Sequence, residues 1–274
     1  MPELPEVETV RRTLLPVIGE RIASEWDSGQ GLHMQRKPPR KRLRELIGAT
    51  FVAVRRHGKY LLLDTDGPNS LIAHLGMTGR LRLNAKADVR APHTHLVLGF
   101  GKRELRFVDA RRFGLIDVVK RADERTHPAL AVLGPDALNE AVEPEALRAQ
   151  AIARRTTLKA FVLDQSVLAG VGNIYASEAL WHAKLRPTTR TKRLTIASAQ
   201  RLTTAIREVL ERALDNGGTT LSDFVDADGT EGNNADYLWV YDREGLPCPR
   251  CKTMIKRSVL QGRATYYCPT CQTA

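Results

Sequence analysis

Apolar positions change period along this chain. Near the start Val7, Val10, Leu14 and Ile18 recur at helical spacing, with Arg11 and Arg12 off that face. They predict a helix with Pro5 in its first turn and Gly19 at its end. From Ile22 to Val119 the runs become short and β-like. Phe51–Arg55, Tyr60–Asp64, Leu71–Leu75, Leu81–Leu83, Leu96–Phe100 and Leu105–Val108 read as strands. Asp66-Gly67-Pro68-Asn69 and Gly99-Phe100-Gly101-Lys102 read as hairpin turns. Many short strands behind one helix predict a β-sandwich or barrel-like first domain.

Residues 122–140, with His127-Pro128 and Gly134-Pro135, read as a connector, after which helical spacing takes over. Leu158, Phe161, Val162 and Gln165 predict one short helix, and Ile174–His182 a second. Leu202, Ile206, Val209, Leu210 and Ala213 predict a third, closed by Asn216-Gly217-Gly218. Residues 226–236 lack apolar periodicity and read as a mobile loop. The reading is α+β in three parts: a β-rich domain at 1–130, a helical domain at 131–236 and a cysteine-bearing module at 237–274.

Cys248, Cys251, Cys268 and Cys271 have the spacing C-x2-C-x16-C-x2-C, which suits one structural zinc. Four thiolates close a tetrahedral shell and leave no position for a reactive water, so this metal stabilises and does not catalyse. Disulfides are the alternative, disfavoured in a reducing cytosol. Pro247-Cys248-Pro249-Arg250-Cys251 matches half of a zinc deaminase signature, but no His has Glu two residues later. H-E-x-x-H and the phosphate-binding G-x-x-x-x-G-K-[ST] are also absent.

Charge narrows the partner. The 274 residues carry 42 Lys and Arg against 31 Asp and Glu, a formal +11, which favours a polyanion. No apolar run approaches the ~20 residues of a bilayer span, and Glu3, Glu6 and Glu8 stand where a signal peptide would be basic. Lys252, Lys256, Arg257 and Arg263, beside Tyr266 and Tyr267, put basic groups on the cysteine module, and Gly262-Arg263-Ala264-Thr265 reads as a tight turn giving Arg263 a fixed task. Gly170-Val171-Gly172-Asn173 precedes a helix; it suits a phosphate at the helix N-terminus, or an ordinary turn capped by Asn173.

Met1-Pro2-Glu3 adds candidate chemistry. Removal of Met1 exposes a secondary amine that forms a cationic iminium with a sugar C1′ without needing a proton. With a pKa near 8, roughly one α-amino group in ten is nucleophilic at neutral pH. Glu3 is placed to move protons beside it.

Together these segments resemble the bacterial formamidopyrimidine-DNA glycosylase family. They are Met1–Val10, His57–Leu63, His74-Leu-Gly-Met-Thr-Gly79, Asp109-Ala-Arg-Arg-Phe-Gly114, Gly170–Glu178 and the terminal cysteine hairpin with Gly262-Arg263, in the family's order. The resemblance implies an N-terminal helix plus β-sandwich, a helix–two-turn–helix domain and a C-terminal β-hairpin zinc finger. It implies excision of 8-oxoguanine and formamidopyrimidines from duplex DNA, then β,δ-elimination. Pro2 would attack C1′ of the flipped nucleotide and Glu3 would shuttle protons. Lys59, His74, Asn173 and Arg263 match positions that grip the phosphates at the lesion, Lys59 and Arg263 being counted with the catalytic set. Met77, Arg111 and Phe113 match the residues that fill the void left by the everted base; Arg112 would hold a nearby phosphate, and Lys159 matches a position linked to damaged-base handling.

Residues 231–237, Glu-Gly-Asn-Asn-Ala-Asp-Tyr, depart from the Gly-Tyr-Phe-Gln-like stretch usual there, which bears on the preference among oxidised bases. A sister glycosylase class acting on oxidised pyrimidines is the nearest rival; Leu4-Pro5 and the full Met77, Arg111, Phe113 set favour the purine enzyme. A non-catalytic zinc protein that binds distorted duplex is a further rival, and it would have no use for a free Pro2 amine. An RNA-binding module is disfavoured because no RNP-type aromatic strand is visible. The expected protein is a monomer on damaged double-stranded DNA, cytoplasmic, nucleoid-associated and bacterial, with no membrane association.

Overall fold

The structure is a computed structural model that describes residues 1–32, 40–221 and 224–273. It divides into two compact units, residues 1–131 with 216–233, and residues 132–215 with 234–273.

In the first unit helix α1 (Leu4–Thr13) leads into strands β1 (Ser24–Asp27), β2 (Phe51–His57), β3 (Tyr60–Thr65), β4 (Asn69–His74), β5 (Arg80–Ala85), β6 (Thr94–Gly99), β7 (Arg103–Val108) and β8 (Leu115–Lys120), with a short helix α2 (Arg40–Arg44) between β1 and β2. They form two antiparallel four-stranded sheets, ordered β2-β3-β4-β8 and β1-β6-β7-β5. Phe51, Leu61, Leu63 and Leu71 from one sheet share a core with Leu81, Leu96, Leu98 and Phe107 from the other, which makes a sandwich. Val7, Val10 and Leu14 of the α1 segment join that core. Strand alternation sends Leu62 and Ile72 to the opposite face, where they cluster with Leu115 and Val119 of the same sheet, and Ala129 and Leu130 pack against them.

The predicted first helix is cut short. Pro16 lacks an N–H, and a 3-10 turn at Leu15–Val17 follows α1. Val17 is thereby buried, whereas Ile18, expected on the apolar face, is 44% exposed. Residues 226–236 are also more structured than their composition suggests. Asp226 Oδ1 accepts the N–H groups of Asp228 (2.9 Å) and Thr230 (2.8 Å), and Ala227 N–H donates to Thr13 Oγ1 (3.1 Å).

The second unit holds α3 (Pro144–Ile152), α4 (Leu158–Leu163), α5 (Asn173–His182), α6 (Ile196–Asp215) and the hairpin β9 (Lys256–Leu260) and β10 (Arg263–Tyr267). Helix α5 is buried from Ile174 to Trp181, as befits a central helix, and α6 packs an apolar stripe, Leu202, Ile206, Val209 and Leu210, toward it. Trp181 shares a small core with Val240, Ile255, Tyr266, Cys248 and Cys268. The hairpin turn lies at Gln261-Gly262, both at positive φ (48° and 72°), so Arg263 opens β10 and is not inside the turn. Helix α3 and strands β1 and β8 had no sequence assignment of their own.

The compact units are partitioned differently from the three sequence-based parts. Residues 216–233 return to the first unit, where Thr219 N–H donates to Glu6 Oε1 (2.7 Å). The helices and the cysteine module belong to one unit. Among the described residues, no helix is long and apolar enough to cross a membrane.

Candidate active site and nucleic-acid interface

Pro2 and Glu3 are buried at the head of α1, while Met1 is 55% exposed. Glu3 is the N-cap, and the Glu6 carboxylate reaches back to accept its N–H (2.8 Å). Because Glu6 Oε1 also accepts from Thr219, one carboxylate fixes both the entry to α1 and the returning segment. Glu8, one turn on, accepts from Arg11 (2.9 Å), Arg12 (3.0 Å) and the buried Arg56 of β2 (3.1 Å). Burial opposes ionisation of Glu8, but these guanidinium hydrogen bonds and charges hold its carboxyl below the usual range. Sequence reading gave Glu6 and Glu8 no structural role; the Glu3-x-x-Glu6 capping spacing was the available signal.

Lys59 is buried in the two-residue turn between β2 and β3, whose register pairs His57 with Tyr60. His74 ends β4 opposite Tyr60, and the two rings lie 4.7 Å apart. Burial, and then the Lys59 ammonium, push the His74 pKa down to about 4. The Gly76 N–H donates to His74 Nδ1 (3.0 Å), so the neutral ring carries its proton on Nε2 as a donor. A neutral donor beside a buried ammonium suits a phosphate oxygen.

Two loops carry the remaining first-unit candidates. Met77 is 39% exposed at the tip after β4. Arg111, exposed, places its guanidinium 4.8 Å from the centroid of the half-buried Phe113 ring. Arg112 between them takes φ +57°, which reverses the chain locally.

In the second unit Asn173 is the first residue of α5, with Gly172 as N-cap. The reading of Asn173 as a cap is thus corrected: its Nδ2 donates to the Ala264 carbonyl (3.0 Å), and its Oδ1 is buried without a partner. Gln165, expected inside a helix, lies beyond α4. It braces the glycine loop through Gly170 N–H (3.0 Å) and the Val171 carbonyl (2.8 Å). Arg263 is exposed at the start of β10. Lys159, which matches a position linked to damaged-base handling, is buried, 1% exposed, with its ammonium donating to Ser177 Oγ (3.1 Å), the Ala264 carbonyl (2.9 Å) and Thr265 Oγ1 (2.9 Å). That enclosure fits a positioning residue. Glu178 escaped sequence reasoning as well. Fully buried, it accepts the N–H groups of Trp239, Val240 and Tyr241 at 2.8–2.9 Å and fixes the segment leading to the cysteine module.

The four cysteine sulfurs lie within 4.8 Å of one another, with Cys251–Cys268 at 3.4 Å and Cys248–Cys271 at 3.9 Å. Sulfurs on a tetrahedron of ~2.3 Å radius would be about 3.8 Å apart, so the set fits one zinc. A disulfide needs about 2.05 Å, which removes that alternative. Cys271 N–H points at Cys268 Sγ (3.3 Å), a donor suited to a metal-bound thiolate.

Known proteins match this chain along its length. Residues 1–116 match the formamidopyrimidine-DNA glycosylase N-terminal domain, 133–225 the formamidopyrimidine-DNA glycosylase H2TH domain, and 245–274 the zinc finger found in FPG and IleRS. A formamidopyrimidine-DNA glycosylase of Xanthomonas oryzae pv. oryzae is 41% identical over 279 residues, covering 99% of this chain and 100% of that protein. One from Cereibacter sphaeroides is 43% identical over 283 residues, with the same coverage. Among solved structures, a Lactococcus lactis FPG mutant bound to DNA containing Fapy-dG aligns with TM-score 0.92 at 32% identity, covering 100% of both chains. The Lactococcus lactis Fpg with abasic-site DNA aligns at 0.90 and 33%, covering 99% of this chain and 100% of that one.

Proposed function

Since the chain belongs to the formamidopyrimidine-DNA glycosylase family, we propose that it carries out one repair reaction on damaged DNA with the candidate residues described above. The activity is base-excision repair: a glycosylase that removes oxidised purines and a lyase that cuts at the resulting abasic site. Its C-terminal finger holds one structural zinc through Cys248, Cys251, Cys268 and Cys271.

The nucleophile in this reading is the Pro2 nitrogen, freed when Met1 is removed. It bonds to C1′ of the lesion nucleotide as the glycosidic bond breaks and its electron pair leaves with the base. Glu3 carries the proton that the opening sugar oxygen takes up. The cationic iminium then acidifies the C2′ hydrogen, and loss of that proton expels the 3′ phosphate; a second elimination expels the 5′ phosphate. Burial of Pro2 and Glu3 at the fixed head of α1 supports this assignment, because it holds amine and carboxylate on one rigid element.

Lys59, with neutral His74 beside it, grips phosphate from the first unit; Asn173 and Arg263 do so from the second. The observation that carries this reading is the His74 ring, neutral and held with Nε2–H as donor. Met77, Arg111 and Phe113 fill the space of the everted base, and Arg112 takes a neighbouring phosphate. Lys159 positions, through Ala264 and Thr265, the strand that carries Arg263. The domains at 1–130, 131–236 and 237–274 are read as the catalytic sandwich, the DNA-binding helices and the finger. A monomer in the cytoplasm of a bacterium, at the nucleoid and away from membranes, completes the reading.

The test is borohydride trapping on a duplex with one 8-oxoguanine opposite cytosine, using protein shown to lack Met1 and to contain zinc. A covalent adduct that maps to Pro2 is expected. Absence of an adduct would overturn the Pro2 assignment.

A further inference from the structure

The motifs His74–Gly79 and Asp109–Gly114 contain two residues to which no role has been given, Thr78 and Asp109. Asp109 is fully buried, and its carboxylate is split between the two loops. Oδ1 accepts the Thr78 hydroxyl (2.6 Å) from the Met77 loop, and Oδ2 accepts the Gly114 N–H (2.7 Å) from its own. Thr78 Oγ1 in turn accepts the Arg111 N–H (3.2 Å). The Asp109 carbonyl accepts the Arg112 N–H (3.2 Å), which caps the left-handed turn. His95 Nε2 lies 3.0 Å from the same carbonyl and Ser28 Oγ lies 3.0 Å from His95 Nδ1, which backs Asp109 from the sandwich side.

The loops also touch through backbone. A Cβ at Gly76 (φ +63°) would lie 2.4 Å from the Phe113 carbonyl carbon and 2.6 Å from Gly114 N. No side chain fits there, so the residues flanking Met77 and Phe113 are pressed together at a fixed spacing. Three wedge residues from two loops are therefore held as one rigid piece, and the clasp is the hydroxyl–carboxylate pair.

We infer that Thr78 and Asp109 are positioning residues for base eversion, locking Met77, Arg111 and Phe113 into one preassembled plug. The inference rests on the reading of those three residues as void-fillers. Eversion replaces stacking and pairing only if all three arrive together, so a loosened clasp slows extrusion of a stacked base. It does not slow chemistry at a nucleotide that has no base to extrude.

Thr78→Val removes both hydrogen-bonding roles at almost constant volume, whereas Thr78→Ser keeps both. Single-turnover rates would be measured on 8-oxoguanine duplex and on the same duplex with a preformed abasic site. Thr78→Val should slow excision of 8-oxoguanine about tenfold more than cleavage at the abasic site, consistent with the steep cost of misplacing groups at a reacting centre. Thr78→Ser should restore the rate on 8-oxoguanine. Equal slowing on both substrates, or no slowing on either, overturns the proposal. Met77→Ala and Phe113→Ala separate it from the reading beneath. If those two fail to slow 8-oxoguanine selectively, the void-filling assignment is wrong. If they do so and Thr78→Val does not, the clasp alone is wrong. Asp109→Asn is reserved for a check by melting temperature, since a fully buried carboxylate also supports the fold.

Discussion

Lys159 and Asn173 donate to the same oxygen, the carbonyl of Ala264, from 2.9 Å and 3.0 Å. One comes from α4 and the other from the first turn of α5, so a single main-chain acceptor joins two helices to the strand that begins at Arg263. Lys159→Met leaves Ser177, Thr265 and one lone pair of Ala264 without their charged donor. The expected destabilisation is about 3 kcal/mol, from removing a buried charged donor and stranding its partners. Arg263→Ala, at an exposed position, should change stability by less than about 0.5 kcal/mol yet weaken DNA binding and lower its salt slope by about 1. Urea denaturation beside affinity at several salt concentrations tests the pair. A Lys159→Met protein of unchanged stability would return Lys159 to a direct role at the base.

Glu3→Gln keeps the size of the side chain but cannot carry the proton. Base excision should fall about 10²- to 10⁴-fold, the usual contribution of a positioned acid or base. Duplex binding should change little. A variant that retains Met1 should bind DNA and give no borohydride adduct. Single-turnover excision and gel-shift affinity, measured on the same preparations, separate these effects.

The folded-state pKa of His74, about 4, lies below the ordinary histidine value of 6.5. Below pH 6.5 the unfolded chain takes up a proton that the folded protein refuses until about pH 4. Stability from this residue is therefore complete above 6.5 and is lost as pH falls through that window. A depression of 6.5 − 4, or 2.5, corresponds to ~3 kcal/mol at most. His74→Asn should remove this part of the acid limb. Denaturation midpoints at pH 7.5 and pH 5 check it: the wild-type difference should shrink in the variant.

Local chemistry was legible in the sequence; long-range contacts were not. The cysteine set could be read because ligand spacing in a metal hairpin is short and fixed. Six of the eight sandwich strands could be read from short apolar runs, β1 and β8 could not, and the candidate residues Pro2, Lys59 and Arg263 came from ordered motifs. The return of residues 216–233 depends on Thr219 meeting Glu6, 213 positions away, and no local pattern encodes it. The burial of Lys159 was not legible either, because its acceptors Ala264 and Thr265 lie more than 100 residues on. The break in the first helix was available in Pro16, but the apolar spacing through Ile18 does not show it.

Zinc should be required for DNA binding without taking part in bond breaking. The finger's core is small: Trp181, Val240, Ile255 and Tyr266 around Cys248 and Cys268, with the hairpin held at its other end by Lys159. Too little apolar surface is buried there to order the hairpin alone, so metal binding supplies folding free energy to it. Arg263 sits on that hairpin, and loss of its fixed position would remove the phosphate contact proposed for it. Chelation, or Cys268→Ser, should therefore reduce affinity for lesion duplex at least about tenfold and speed hydrogen exchange in 256–267. Exchange across β2–β4, in the other unit, should be unchanged. Elemental analysis should give one zinc per chain in the active protein. A fully metal-free preparation with undiminished affinity would show that the hairpin is ordered by its protein contacts alone.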